Sequence, residues 1–251
     1  MGDQAHLGLT AFLQSLESKL AGSEAVIIFT AHWESDVVTV SGASQPQLLF
    51  DYYGFPEETY TYAYPVSGAP GLAIDVMKAL DVAGIRCRMD GQRGLDHGTF
   101  IPMMLMRPKA DIPVLQVSLL TSLNPESHLE IGRALAPLLD RNVTFVGSGL
   151  SFHNVAAMFK RNRAHADDAT AFDDWLNETL LDQGLSSLDK RERLINWSSA
   201  PGARYCHPRE EHLLPLHVCF GAACERGWKT ENVYREDLMG FRNSGFHWSR
   251  A

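Results

Sequence analysis

The sequence predicts an α/β fold in which a mostly parallel central sheet is flanked by helices in a single domain. Three observations carry that expectation. A continuous apolar run, Ala25-Val-Ile-Ile-Phe-Thr-Ala31, has the pattern of a strand buried on both faces. Segments with apolar residues at helical spacing stand on either side of it. The same alternation then repeats as far as Gly147-Ser-Gly149.

Leu9, Phe12, Leu16 and Leu20 share one face of a first helix, which Gly22 ends. The Ala25–Ala31 strand follows, and His32 comes directly after it. Pro70 opens a second helix with Leu72, Val76 and Leu80 on its apolar face, and Gly84 stops it. Ile85–Met89 and Pro113–Leu119 read as further strands. Asn124, Pro125 and Glu126 read as N-cap, N1 and N2 of a helix through Leu138. Val143–Val146 is then another buried strand. Past Asn154 the character changes. Segments 168–182 and 187–196 look helical, Pro208 opens a helix at Arg209-Glu-Glu-His212, and the tail from Glu231 reads as late strands or irregular structure. No repeat or linker divides the 251 residues. At roughly 150 residues per domain, that length suits one large domain spanning 1–251.

Lys and Arg number 22 against 30 Asp and Glu, a formal net charge of −8. Such a balance provides neither a phosphate footprint for nucleic acid nor a polybasic patch for a membrane. No apolar stretch reaches the roughly 20 residues that span a bilayer. The N-terminus lacks the basic and apolar regions of a secretory signal. Four cysteines, Cys87, Cys206, Cys219 and Cys224, have no CxxC spacing and read as reduced thiols. A cytoplasmic protein with small-molecule partners is expected. The sequence does not speak to oligomeric state.

Ten histidines are present, and their positions carry the functional reading. Ligands of open α/β sheets bind beyond the carboxyl ends of strands. His32 and His153 stand at or just past such ends, and His97 lies in the loop after Ile85–Met89. His212 falls at a helix start beside Glu210 and Glu211. Imidazoles with carboxylates suit zinc or non-haem Fe(II). His217 reads as a core residue, His128 and His165 as solvated, His207 as the border of a proline turn and His247 as packed between Phe246 and Trp248. The aromatic stretch Tyr52 to Pro65 reads as an ordered loop, either a cover for the sheet or a lid over an apolar pocket. No P-loop, G-x-S-x-G elbow or H-E-x-x-H motif is present, so nucleotide chemistry and serine hydrolysis lose support.

These residues fall into an ordered set: Ala31-His32-Trp33-Glu34, Asp51-Tyr-Tyr-Gly-Phe-Pro56, Tyr64-Pro65, Leu95-Asp-His-Gly-Thr99, Pro113-Val-Leu-Gln-Val-Ser118, Gly147-Ser-Gly149 with Phe152-His-Asn154, and Glu211-His-Leu-Leu-Pro215. Together they resemble the class III extradiol ring-cleavage dioxygenases, in the DOPA-dioxygenase branch. The resemblance implies a single divalent metal, Fe(II) when active and sometimes zinc as isolated. It matches His32 and His212 to metal ligands and His153 to an acid/base that zinc-bound relatives can recruit as a ligand. It matches His97 to a residue facing the substrate oxygens. Trp33, Tyr53 and Tyr64 would shape the pocket.

The resemblance implies a small aromatic diol and O2 as partners, and a ring-opened semialdehyde as product. One departure stands out. The family opens with a strand ending in a His-Gly-rich motif that supplies the first ligand. Here that strand would fall before Met1, and His6 lacks the following Gly. The expected consequence is an open edge beside the Ala25–Ala31 strand. Two other readings stay open, a non-catalytic metal- or peptide-binding homologue and a zinc-dependent hydrolase.

Overall fold

The apolar run that begins at Ala25 forms the middle of the molecule. The computed structural model describes residues 4–160 and 166–250. In chain order its helices and strands are α1 (Leu7–Ser15), β1 (Ala25–Ser35), β2 (Val38–Ser41), α2 (Pro70–Val82), β3 (Cys87–Asp90), α3 (His97–Met106), β4 (Val114–Leu120) and α4 (Pro125–Leu135). They continue as β5 (Val143–Ser148), α5 (Val155–Lys160), α6 (Ala166–Leu181), α7 (Ser187–Ile195), α8 (Ala203–Cys206), α9 (Leu214–Glu225), β6 (Lys229–Leu238) and β7 (Phe241–Ser249). The main sheet has the order β3-β2-β4-β1-β5. β1 runs parallel to both β4 and β5, β2 runs parallel to β3, and β2 meets β4 antiparallel at Val40 and Val117. The predicted α/β architecture with a mostly parallel sheet holds.

Alternation along β1 builds both halves of the core, because successive side chains point to opposite faces of a sheet. Ala25, Ile27 and Phe29 pack with Val76 and Leu80 of α2, Leu135 of α4 and Val218 of α9. Val26 and Ile28 face the other way, onto Phe100, Met103 and Met106 of α3. Both faces are therefore dry, which is why the sequence reads as an unbroken apolar run. Local signals set several ends. The Asn124 side chain accepts from the Ser127 N–H at 2.9 Å and caps α4. Ser186 and Asp189 form a reciprocal capping box on α7.

Several expectations need correction. β1 continues past Ala31 to Ser35, so His32 lies within the strand and not just past its end. Its pairing with β4 breaks between Phe29 and Glu34, which gives the backbone around His32 room to turn its side chains. β1 has a partner on each side, so it is not the open edge; the end strand on that side is β5. Between β5, α1 and β7 lies a cavity of about 890 Å³ that reaches His32 and His212. His97 opens α3 instead of lying in a loop. Arg209–His212 is a turn, and the helix begins only at Leu214.

β2 was not foreseen. The tail forms a β6–β7 hairpin, whose two turn residues Met239 and Gly240 both have positive φ, the geometry that two-residue hairpins favour. His128 is fully buried, not solvated. The reading of His165 lies outside the described residues. All four cysteines are free. No helix among the described residues is long and apolar enough to cross a membrane.

Candidate active site

β1 and β5 are neighbours and parallel, so their carboxyl ends deliver residues to one place. α3 starts there too. Its first turn lies so close to β1 that a Cβ on Gly98 would come within 2.6 Å of Thr30 Oγ1 and 2.7 Å of the His32 ring. Only glycine fits. Buried Asp96 locks that turn: Thr30 Oγ1 donates to it at 2.9 Å, Gln116 Nε2 at 2.7 Å and Arg93 at 3.2 Å. Arg93 also stacks over the Trp33 ring at 4.6 Å.

On the other side, Gly149 lets the chain after β5 pass the His212 carbonyl, which a Cβ would approach to 2.1 Å. Leu150 N–H donates to that same carbonyl at 3.0 Å, and His153 N–H donates to Cys206 O at 3.0 Å. Buried His207 bonds Ser151 O through Nε2 at 2.8 Å. Arg209 grips Glu34 with two 2.6 Å bonds, pinning the turn before α9 to the end of β1.

Four imidazoles meet at this junction. The ring centroids of His32 and His212 are 5.0 Å apart, those of His32 and His97 3.9 Å, and His153 stacks on His212 at 3.3 Å. Each pair has a carboxylate behind it. Asp51 Oδ1 accepts from the His97 backbone N–H at 3.0 Å and lies 2.8 Å from His97 Nδ1; its Oδ2 is 3.9 Å from His32 Nδ1. Glu211 Oε1 lies 3.0 Å from His212 Nδ1 and 3.7 Å from His153 Nδ1. In each trio, His32–Asp51–His97 and His153–Glu211–His212, one donor atom per residue lies within 4.8 Å of the others.

Burial, with His97 and His212 close by, depresses the His32 pKa to about 3. Burial and His212 bring His153 to about 4. Both rings are therefore neutral near pH 7 and keep a lone pair for a ligand or a proton. Burial, the largest single influence, would raise the Glu211 carboxyl, but the His212 hydrogen bond, a backbone hydrogen bond and the nearby His212 and Arg209 together hold it at about 2. Asp51 is likewise held below its ordinary value, with burial opposing and the His97 hydrogen bonds prevailing. Neutral imidazoles backed by two anionic carboxylates suit a divalent cation. Glu211 Oε2 is buried without a hydrogen-bond partner, with the Arg209 guanidinium 3.4 Å away as its ion-pair partner. The donor set fits a metal.

Comparison with known proteins agrees with this geometry. Residues 3–246 match the family described as the catalytic LigB subunit of aromatic ring-opening dioxygenase. The chain belongs to the LigB family. It is 39% identical to a dioxygenase, tasH, of Hapsidospora irregularis over 99% of this chain and 81% of that one. It is 37% identical to a 4,5-DOPA dioxygenase extradiol of Beta vulgaris over 89% of this chain and 82% of that one. A crystal structure of an uncharacterized protein from Escherichia coli K12 superposes with a TM-score of 0.74 at 28% identity, covering 94% of this chain and 89% of the other. As a LigB-family member the chain is an extradiol ring-cleavage dioxygenase and metal-dependent, as the motif resemblance implied.

Within this LigB site, the structure brings together His32, His97, His153 and His212. The three aromatic residues expected to line the pocket fare differently. Trp33 is buried against Arg93 beside the site. Tyr53 points away, 92% exposed, because the turn at Gly54 carries it outward. Tyr64 belongs to the core under α3, 5% exposed, with its hydroxyl donating to Arg107 O at 2.8 Å. The aromatic side chain that does reach the histidines is Tyr52, edge-on to His97 at 5.5 Å.

Sequence reasoning assigned no role to Asp51, and it noted Glu211 only as a neighbour of His212. The available signals were local. Asp51 stands as a lone acid at the head of an aromatic stretch, and Glu211 is one residue from a candidate ligand.

Proposed function

We propose that this chain is a single catalytic domain that opens the ring of a catechol with O2, yielding a ring-opened semialdehyde. The native metal in this reading is Fe(II), held by His32 and His212 with His153 beside them, and zinc can replace it on isolation. The convergence of four imidazoles from four separate segments on one end of the sheet carries the proposal. The name of the Beta vulgaris relative favours a DOPA-like side chain, and a simpler catechol fits the same diol chemistry. A cytoplasmic location goes with this reading.

A metal bound there supplies what no side chain can, a centre that brings catechol and O2 together and passes electron density between them. The chain's own residues do the rest. His153, neutral near pH 7, takes a proton from a catechol hydroxyl at its ring and later returns it, a role contributing about 10²–10⁴-fold. His97 hydrogen-bonds the substrate oxygens. Tyr52 walls the site on the His97 side, and Trp33, fixed by Arg93, closes the β1 side.

The test is anaerobic reconstitution with Fe(II), then O2 uptake with a panel of catechols. Uptake with a yellow product is expected from at least one catechol. Tight metal binding without uptake from any of them overturns the proposal and leaves a non-catalytic metal-binding protein.

A further inference from the structure

Asp51 comes from the aromatic stretch after β2, far in sequence from His97, yet it makes two contacts with that one residue. Its Oδ1 accepts from the His97 backbone N–H at 3.0 Å and lies 2.8 Å from Nδ1 of the ring. An ionised carboxylate can only accept, so the ring hydrogen belongs on Nδ1. Nε2 then carries a lone pair, and among the described residues it has no hydrogen-bond partner. Tyr52, next in sequence, closes against the same ring at 5.5 Å. Its hydroxyl is tied back to Thr59 O at 2.5 Å, so the carboxylate is presented from an ordered segment.

We propose that Asp51 is a positioning residue: it fixes His97 in the Nδ1–H tautomer, so that Nε2 accepts a hydrogen bond from a substrate hydroxyl. The assignment rests on the catechol reading for the identity of the hydroxyl. The tautomer does not depend on that reading. It differs from two other roles open to a carboxylate at this place. As a metal ligand, Asp51 would control metal content. As a mere anchor for the aromatic stretch, it would control stability and leave the ring nitrogens alone.

Three measurements separate these roles. In the metal-free protein, ¹⁵N shifts of the His97 ring report the tautomer directly. The native chain should show hydrogen on Nδ1, and Asp51→Ala should show a mixture. In the metal-loaded protein, Asp51→Ala should lower kcat by about 10–100-fold, the usual cost of losing such a partner, with KM and metal stoichiometry little changed. Asp51→Asn, whose amide oxygen can accept both hydrogens, should recover most of that loss. Because Asp51 acts through His97, Asp51→Ala should cost almost nothing further in a His97→Ala background.

Loss of metal in Asp51→Ala makes Asp51 a ligand and overturns the proposal. So does a native His97 ring with hydrogen on Nε2, or additive losses in the double variant. If the native chain cleaves no catechol, the functional reading fails by itself, and the ¹⁵N result still decides the tautomer.

Discussion

Two groups of histidine in this molecule are wired differently. His128 and His217 serve the backbone. His128 Nδ1 donates to Asn124 O at 2.7 Å while its Nε2 accepts from Leu120 N–H at 3.1 Å, joining the end of β4 to the start of α4. His217 reaches Leu194 O at 2.9 Å and Leu213 O at 3.3 Å, tying α9 to α7. In contrast, His97 and His212 turn Nδ1 to a carboxylate, and among the described residues the other nitrogen has no backbone partner. Rings anchored on backbone groups, as His128, His217 and His207 are, serve the fold, whereas a ring anchored on a carboxylate with its other nitrogen open to the site is equipped for a ligand. Burial alone does not tell them apart, since His212 is nearly as buried as His128.

That contrast breaks most visibly in the ligand positions. His32→Ala or His212→Ala should empty the site, so metal and turnover disappear together while the circular dichroism spectrum and cooperative unfolding persist. A variant that keeps its metal would move that residue out of the ligand set. His153→Ala should come next, lowering turnover by about 10²–10⁴-fold with most of the metal retained. Parallel loss of metal and turnover would make His153 a third ligand instead of an acid/base.

The structural histidines should respond in the opposite sense. His128→Ala leaves two backbone groups without partners and a small void, costing about 2–4 kcal/mol by urea unfolding. Turnover per folded molecule should stay at the native level. Burial holds His128 at about 4, below the 6.5 of an unfolded histidine. The unfolded chain therefore binds the extra proton between these values, and stability falls as pH drops from 6.5 towards 4. Above 6.5 the contribution is fully present. The pair of pKa values corresponds to roughly 3 kcal/mol, shared with other acid-sensitive groups. His128→Gln should flatten that part of the pH–stability curve; an unchanged slope would show that His128 is not buried neutral.

Much of the central fold is legible in the sequence because its signals are local. The apolar run of β1, Pro70 and Gly84 around α2, and the Asn124-Pro125 start of α4 each act within a few residues. β2 escapes because four residues are too few for a periodic signal, although Val38-Thr-Val40 is β-branched throughout. The β6–β7 turn escapes because Met239 takes a positive φ, where the usual hairpin signal is Asn or Asp before Gly.

The histidine cluster could be suspected from strand ends, but its carboxylates could not be assigned. Asp51 meets His97 from far along the chain, and only the fold brings the two together. Tyr53 and Tyr52 are adjacent in sequence, yet one faces solvent and the other His97. Composition carries no information on that choice.

The central claim is that this cluster places both atoms of O2 into an opened catechol ring. It is tested most directly by turnover under ¹⁸O2 with Fe(II)-loaded protein, with borohydride trapping the aldehyde before its oxygen exchanges with water, followed by mass spectrometry of the product. The account predicts two ¹⁸O atoms in each product molecule from the native chain and no product from His32→Ala. Product carrying one or no ¹⁸O atom, or an undiminished yield from His32→Ala, would contradict it.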